Sequence, residues 1–144
     1  TAVDAALWQR VLPILEKNGL APPALTDIAA MFKEDPEHLE RALVRVGRHG
    51  LVVRISKGRF VRPETLRKLA SIAETVAAKS PGGQFAAAAF RDAAGIGRNL
   101  AIDVLEYFDR VKFTQRRGEV RRMLTSADNI LGASLTKVGP TSTS

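Results

Sequence analysis

Arginine and lysine side chains cluster near the end of the chain, and this cluster is the first candidate for chemistry. Between residues 110 and 122, six residues are basic and Glu119 is the single acid. The guanidinium of arginine carries a rigid fork of donors that matches phosphate oxygens and guanine edges. The cluster therefore predicts an anion-binding surface, although arginines on an exposed hairpin can also serve solubility alone. Its members are Arg110, Lys112, Arg116, Arg117, Arg121 and Arg122.

The charge balance of the whole chain agrees with a polyanion partner. Its 144 residues carry 22 Lys and Arg against 15 Asp and Glu, a net charge of +7 with a pI near 10.4. A hydrophobic content of 45% is enough for a packed core in one ordinary domain or two very small ones. Nucleic acid is therefore the first partner class to consider.

Residues for catalysis are scarce. The only histidines, His38 and His49, are separated by three turns of one predicted helix, too far to share a metal ion or act on one atom. The absence of cysteine excludes disulfides and thiolate metal sites. No P-loop or zinc-protease motif occurs, and residues 95–97 lack the third glycine of a dinucleotide fingerprint. We predict a binding module with no enzyme activity, metal or cofactor.

The chain also lacks targeting features. No apolar run approaches the roughly 20 residues needed to span a bilayer. The N-terminus does not have the basic-then-apolar pattern of a signal peptide. These features predict a soluble, cytoplasmic protein with no membrane partner. We also expect the protein to be a monomer.

Residues 1–62 are predicted to form three helices and a hairpin. Apolar residues at helical spacing predict a helix over 4–18, with a kink or restart at Pro13 because proline removes a donor. Thr26 is the predicted N-cap of a second helix. Asp35 caps a third helix that ends before Gly50. Residues 51–62 then contain two short strands around a glycine turn.

The same order recurs in the second half, which indicates an internal repeat. A shift of 62 residues aligns the copies without a gap across two helices, placing Ile28 on Phe90 and Leu51 on Phe113. The predicted elements are helices over 64–79, 86–94 and 98–111 and a hairpin over 113–123. We predict a mainly α protein with short β-hairpins, made of two tandem winged-helix domains at 1–62 and 63–123. The polar segment 124–144 is a predicted flexible tail.

The two copies differ at the start of the helix that follows the turn. The first copy has acids there, at Glu34, Asp35, Glu37 and Glu40. The second copy has Gly97, Arg98 and Asn99 at the matching positions, so free backbone N–H groups and the positive helix end can hold an anion. The second unit is therefore the predicted nucleic-acid-binding unit, with the first as a spacer.

Four runs of the second unit form an ordered pattern: Phe90–Asp92, Gly95–Ile102, Leu105–Arg110 and Thr114–Gly118. This pattern resembles the C-terminal winged helix of the bacterial selenocysteine-specific elongation factors, the SelB family. The resemblance extends more weakly to the preceding unit and covers about residues 4–123. Two residues depart from the family pattern, which commonly has glycine in place of Lys112 and often has lysine in place of Asn99.

This resemblance implies a function. Members of the family are GTP-binding translation factors that deliver selenocysteyl-tRNA to the ribosome at an in-frame UGA codon. Their last winged helix binds the SECIS hairpin of the mRNA through a loop guanine, a bulged uracil and the backbone between them. The chain would then be the C-terminal mRNA-binding fragment of such a factor, without its GTPase domain. The implied RNA-binding residues are Arg91, Arg98, Asn99, Arg116, Arg117 and Arg121, to which the basic cluster adds Lys112 and Arg122.

Two other classes of function remain open. A winged-helix transcriptional regulator would insert the 98–111 helix into the DNA major groove. Asp103 and Glu106 on that helix count against this, because they would face or flank the bases. A protein-interaction module is the second alternative, and the acidic first unit is its best support. Arg91 likewise has two interpretations, since it can contact RNA or pair with the neighbouring Asp92.

Overall fold

The computed structural model of the protein describes residues 1–131, and the chain divides into two compact units. The first is Thr1–Thr65 and the second begins at Leu66, close to the predicted boundary after Arg62. Residues 132–144, most of the predicted tail, lie outside the described residues. Within residues 1–131, no helix has the length and apolar character needed to cross a membrane.

The first unit contains three helices and a two-stranded antiparallel hairpin, in the predicted order. Its core is formed by Leu7, Val11 and Leu15 of the first helix against Leu39 and Leu43 of the third, all buried. These residues recur every four positions, which gives each helix one apolar face. The elements are α1 (Ala2–Lys17), α2 (Leu25–Phe32), α3 (Pro36–Gly47), β1 (Val53–Ser56) and β2 (Arg59–Val61).

The helix boundaries of this unit confirm one predicted cap and correct another. Asp35 caps α3, because its Oδ2 accepts a hydrogen bond from the His38 backbone N–H at 3.1 Å. Thr26 is not a cap; α2 begins at Leu25, after Ala24, with no side-chain cap. α1 continues through Pro13 without a restart.

A bidentate ion pair joins α1 to α3. Arg45 Nε lies 2.7 Å from Asp4 Oδ2, and Nη2 lies 2.9 Å from Oδ1. These hydrogen bonds hold the pKa of the Asp4 carboxyl below its usual value, although burial opposes the shift. The positions 62 residues later hold Leu66 and Tyr107, both buried. The second unit therefore has apolar packing where the first has an ion pair.

The second unit has the predicted three helices and hairpin, with one further strand. The boundary between the units falls inside the first of these helices. Short 3₁₀ turns occupy Pro81–Gly83 and Ala127–Asn129. The elements are α4 (Pro63–Ala78), β3 (Gln84–Ala86), α5 (Ala87–Ala94), α6 (Arg98–Arg110), β4 (Thr114–Arg117) and β5 (Val120–Met123).

Aromatic side chains fill the core of the second unit. Phe90 of α5 meets Phe108 of α6 edge to face, with ring centroids 6.3 Å apart. Phe108 also meets Phe113, just before β4, at 4.8 Å. All three rings are fully buried, so this face of α6 belongs to the core. Edge-to-face contacts of this kind add stability beyond the burial of area, and here they fix α6 against α5 and the hairpin.

The strand β3 was not predicted from the sequence. It pairs antiparallel with β5, placing Phe85 opposite Arg121, and gives a sheet of order β3-β5-β4. In the first unit, Pro22 and Pro23 stand 62 positions before Gln84 and Phe85. Proline has no backbone N–H to donate to a ladder. This explains why the first sheet has two strands and the second has three.

The internal repeat is visible in the backbone. α2 and α5 begin and end 62 residues apart. Lys33 and Gly95, which follow them, both adopt left-handed conformations with φ of 56° and 68°. Gly50 and Lys112 form a second such pair, at 79° and 65°.

The repeat is weaker at the hairpins. Leu51 is 47% exposed, whereas Phe113, its counterpart in the sequence alignment, is fully buried. The alignment placed these two residues at equivalent positions, but only Phe113 belongs to a core.

Residues 124–131, the first part of the predicted flexible tail, pack within the second unit. Ala127 and Ile130 are buried. The Ala127 backbone N–H donates to Glu74 Oε2 of α4 at 3.1 Å. Residues 124–131 therefore pack within the second unit, because two apolar side chains and a capped 3₁₀ turn hold them there.

Candidate nucleic-acid interface

The start of α6 is open to an anion. Gly97 is the N-cap residue and provides no side-chain hydrogen bond, so the first backbone N–H groups of the helix have no cap. Arg98 and Asn99 are exposed, and their side chains make no hydrogen bond or ion pair within residues 1–131. The turn before the helix is short because Gly95 takes the left-handed conformation, with φ of 68°. Backbone donors, the positive helix end and a free guanidinium thus coincide.

The hairpin of β4 and β5, called the wing below, presents two different faces. Antiparallel partners lie on the same face of a sheet. Phe85, Arg121 and Arg116 share one face, and Phe85 and Arg121 are buried there. Arg117 and Arg122 lie on the opposite face, which is exposed.

Three predicted arginines of the wing are exposed, each in a different setting. Arg122 Nε donates to Gln115 Oε1 at 2.9 Å, which holds its guanidinium along the outer face. Arg116 Nε donates to the Gly118 carbonyl at 2.9 Å and so braces the turn. The Arg117 side chain has no partner among residues 1–131 and is the freest cation of the wing.

Arg121 differs from the other predicted site residues because it is only 5% exposed. Its Nη2 lies 3.0 Å from Asp109 Oδ2, and its Nε lies 3.1 Å from the same oxygen. Its charge is therefore neutralised within the unit. Consecutive residues of a strand point to opposite faces, so Arg121 and Arg122 cannot both lie on an RNA-facing surface. The prediction grouped Arg121 and Arg122 because both belong to the basic cluster, and it did not consider which face of the strand each side chain occupies.

The remaining predicted residues lie at the edges of this surface. Arg91 Nε donates to Asp92 Oδ1 at 3.1 Å, so the predicted alternative of pairing with this acid is present. Lys112 is exposed, joins α6 to the wing, and has a φ of 65°, which is unusual for a residue with a side chain. No group of three or more His, Asp or Glu within residues 1–131 could hold a metal ion.

The matching helix start in the first unit is closed. Asp35 occupies the cap, and its carboxylate would repel an anion at this position. Glu34 lies 3.5 Å from Arg10, and Glu40 lies 2.6 Å from Arg54. The acids of this unit thus fill the helix start and neutralise the nearby arginines.

The arrangement defines the second unit as a winged-helix domain with a basic wing. The family model described as the winged helix of elongation factor SelB matches residues 77–123, which span α5, α6 and the wing. The matched elements are therefore those of a winged helix, a form of the helix-turn-helix plan that many nucleic-acid-binding proteins share.

Similar proteins extend the match to most of the chain. The selenocysteine-specific elongation factor of Escherichia coli (strain K12) is 34% identical over 113 residues, which cover 78% of this chain and 18% of that protein. The factor of Haemophilus influenzae is 30% identical over 115 residues, which cover 80% and 18%. The chain thus spans under a fifth of the length of these relatives.

A solved structure gives the same result. The mRNA-binding domain of SelB from E. coli, determined in complex with SECIS RNA, superposes with a TM-score of 0.73 at 32% identity. The match covers 83% of this chain and 95% of that domain. The chain belongs to the family of selenocysteine-specific elongation factors, SelB, and is similar over most of its length to the mRNA-binding domain of that solved structure.

Proposed function

We propose that this chain is the mRNA-binding part of a selenocysteine-specific elongation factor and that its second unit recognises a SECIS hairpin. The uncapped start of α6, with Arg98 beside its free N–H groups, carries this proposal. The E. coli domain that shares the fold is one solved in complex with SECIS RNA, which supports the same ligand.

Two anchor points would hold the RNA. The N–H groups at residues 97–99 bind one phosphate, and the outer face of the wing, with Arg117 and Arg122, binds another stretch of backbone. The deep groove of A-form RNA hides its base edges, so recognition falls on an unpaired loop or bulge between the two anchors. Asn99 supplies an amide where the family often has lysine, which adds a hydrogen bond without a charge.

The first unit has the role of a spacer in this proposal. The helix order and hairpin of the first unit support the proposal that it is also a winged helix, in tandem with the second unit. Its acids oppose RNA binding at the equivalent helix start, because a phosphate there would approach Asp35 and Glu37. A winged helix can thus be retained for its shape while another copy carries the RNA site.

The wider role follows from the relatives and belongs to the parent factor. That protein would bind GTP and carry selenocysteyl-tRNA to the ribosome in the cytoplasm, through domains outside this region. This chain would contribute no catalytic residue and would bind RNA as a monomer.

A titration with three nucleic acids tests the proposal. The full chain is mixed with a labelled SECIS-type hairpin, the same hairpin with its loop guanine replaced, and a duplex DNA of equal length. We expect the tightest binding to the hairpin, and a loss of about 1–3 kcal/mol for the loop variant. Affinity should fall steeply with salt because several phosphates are neutralised.

The outcomes separate the classes of function. Preference for duplex DNA would support a transcriptional regulator, which the basic wing also allows. Equal affinity for all RNAs would reduce the site to generic anion binding. No binding at all would leave a protein-interaction module.

A further inference from the structure

Asp109, near the end of α6, holds both strands of the wing. Thr114 of β4 donates its hydroxyl to Asp109 Oδ1 at 2.6 Å. Arg121 of β5 donates Nε to both carboxylate oxygens, at 3.2 and 3.1 Å, and its Nη2 lies 3.0 Å from Oδ2. These three residues, called the wing clamp below, tie the recognition helix to the wing through one carboxylate.

Two of the three clamp residues are almost fully buried, and the Asp109 side chain is 24% exposed. Thr114 and Arg121 are 1% and 5% exposed, so their hydrogen bonds are shielded from competing water. The Arg121–Asp109 contact uses two guanidinium nitrogens, which fixes orientation as well as distance. Phe85 of β3 lies opposite Arg121 in the sheet and is itself buried.

The first unit forms a similar hairpin without this clamp. Gly47 stands 62 positions before Asp109, and Val52 stands 62 positions before Thr114. A Cβ added at Gly47 would lie 3.1 Å from the Val52 carbonyl oxygen, so helix and hairpin meet there by close backbone packing. A helix and hairpin of this kind can therefore form without an acid at the helix end. Of the two units, only the second carries a carboxylate at this position.

We propose that Asp109 is a positioning residue for hairpin recognition, acting through Arg121 and Thr114. It fixes the wing relative to α6, so that Arg117 and Arg122 keep a set distance from the anion site at residues 97–99. It also removes one cation, Arg121, from the surface that meets RNA. This inference rests on the proposed function, because it assumes that the two anchors bind one hairpin.

The proposal predicts that loss of the clamp raises the affinity for any RNA but lowers the preference for the hairpin. Loss of the Asp109 charge releases Arg121, so the unit gains one net positive charge and binds any RNA more tightly. Loss of the fixed wing makes the distance between the anchors variable, so the preference for the hairpin falls. A merely structural residue would weaken both kinds of binding together.

The experiment uses Asp109→Asn, Arg121→Met and the double variant in the full chain. Each is titrated with the SECIS-type hairpin and with an unrelated RNA duplex of the same length, over a series of salt concentrations. We expect Asp109→Asn to lower the hairpin preference about tenfold and to raise the salt slope by about one. The double variant should lose no more preference than either single variant, because all three break one interaction.

The control for Arg121→Met is Arg48→Met, which removes the same single positive charge at an exposed position of the first unit. It should leave the hairpin preference unchanged. Additive losses in the double variant, with a lower salt slope for Arg121→Met, would overturn the proposal and make Arg121 a direct RNA contact. An unfolded double variant would also overturn it, since the clamp would then serve folding. A wild-type chain without hairpin preference would refute the proposed function instead.

Discussion

The helix starts of α3 and α6 occupy matching places in two copies of one plan, yet they have opposite chemistry. At α3, Asp35 caps the helix, and the nearby Glu34 and Glu40 are paired with Arg10 and Arg54. At α6, the cap residue is Gly97, and the Arg98 side chain has no partner within residues 1–131. A favourable cap and an anion site exclude each other, because both use the same N–H groups. The helix start of the second unit has no side-chain cap, so those N–H groups are available to a ligand.

The same contrast extends beyond the helix start. Asp4 and Arg45 join two helices of the first unit, whereas Leu66 and Tyr107 occupy the matching positions of the second. Charge in the first unit thus mainly supports its own structure. In the second unit, the buried Arg121 pairs with the half-buried Asp109, and the exposed side chains of Arg98 and Arg117 have no partner within residues 1–131.

The largest expected effect comes from giving α6 the helix start of α3. Gly97→Asp together with Asn99→Glu fills the free N–H groups and places two negative charges at the anion site. We expect hairpin affinity to fall about 100-fold or more, as each change opposes one phosphate contact. The free energy of unfolding should be unchanged or higher by a few tenths of a kcal/mol, since Asp is a better cap than Gly.

The matched control reverses the exchange in the first unit. Asp35→Gly with Glu37→Asn should leave hairpin affinity unchanged. A large loss of affinity in that control would mean that the first unit also contacts RNA, and the contrast between the two helix starts would then be wrong.

Removal of single arginines is the next effect in size. Arg98→Ala and Arg117→Ala should each weaken hairpin binding by about 1–3 kcal/mol. Substitution of His38 or Arg48 by alanine should not change it, because both lie in the first unit. The measurement is a fluorescence anisotropy titration, and an equal loss for His38→Ala would contradict the assignment of roles to the two units.

The ion pair of the first unit predicts a pH effect confined to that unit. The pKa of Asp4 is lowered by Arg45, so its stabilising contribution is present above the usual aspartate pKa of about 4. The contribution is lost as pH falls through the lowered value. Asp4→Asn should therefore destabilise the first unit at pH 7, and the difference from wild type should shrink in acid.

Trp8, the single tryptophan of the chain, makes this effect measurable. Its fluorescence reports unfolding of the first unit, because it lies on α1. Asp27→Asn is the control, since Asp27 is exposed and no ion pair holds its side chain within the described residues. A pH-independent difference for Asp4→Asn would show that the carboxylate charge is not what stabilises α1 against α3.

The smallest expected effect concerns the two left-handed lysines. Lys112→Gly and Lys33→Gly should each raise the free energy of unfolding by up to about 1 kcal/mol, because glycine adopts positive φ without strain. Chemical denaturation measures this. If Lys112 contacts RNA, as predicted from the basic cluster, Lys112→Gly should also lower the salt slope by about one, and Lys33→Gly should not. Identical binding by both variants would remove Lys112 from the site.

Much of the fold was predictable because the determining residues are close in sequence. The cap at Asp35 and the breaks around Gly95 set helix ends through contacts within four residues. The strand Gln84–Ala86 was missed because three residues carry no alternation pattern, and its pairing with β5 is a distant contact. Its presence depends on having Gln84 and Phe85 where the first unit has prolines.

The location of the candidate site could be predicted from the sequence, but the role of each arginine in it could not. Arg98 and Arg117 lie exposed in the predicted places, which composition and the repeat were enough to indicate. The burial of Arg121 depends on the phase of β5 and on Asp109, twelve residues earlier. Alternation along β5 would have separated Arg121 from Arg122. The acid that binds Arg121 could be identified only from the structure.

An NMR titration of the full chain with the SECIS-type hairpin tests the central claim most directly. The claim predicts that backbone amide resonances of residues 97–100 and 114–123 shift on binding, since these residues form the two anchors. Residues 34–40 of the first unit should stay unchanged at saturation. Shifts at 34–40 comparable with those at 97–100, or an undisturbed 97–100, would contradict the claim that only the second helix start is the RNA site.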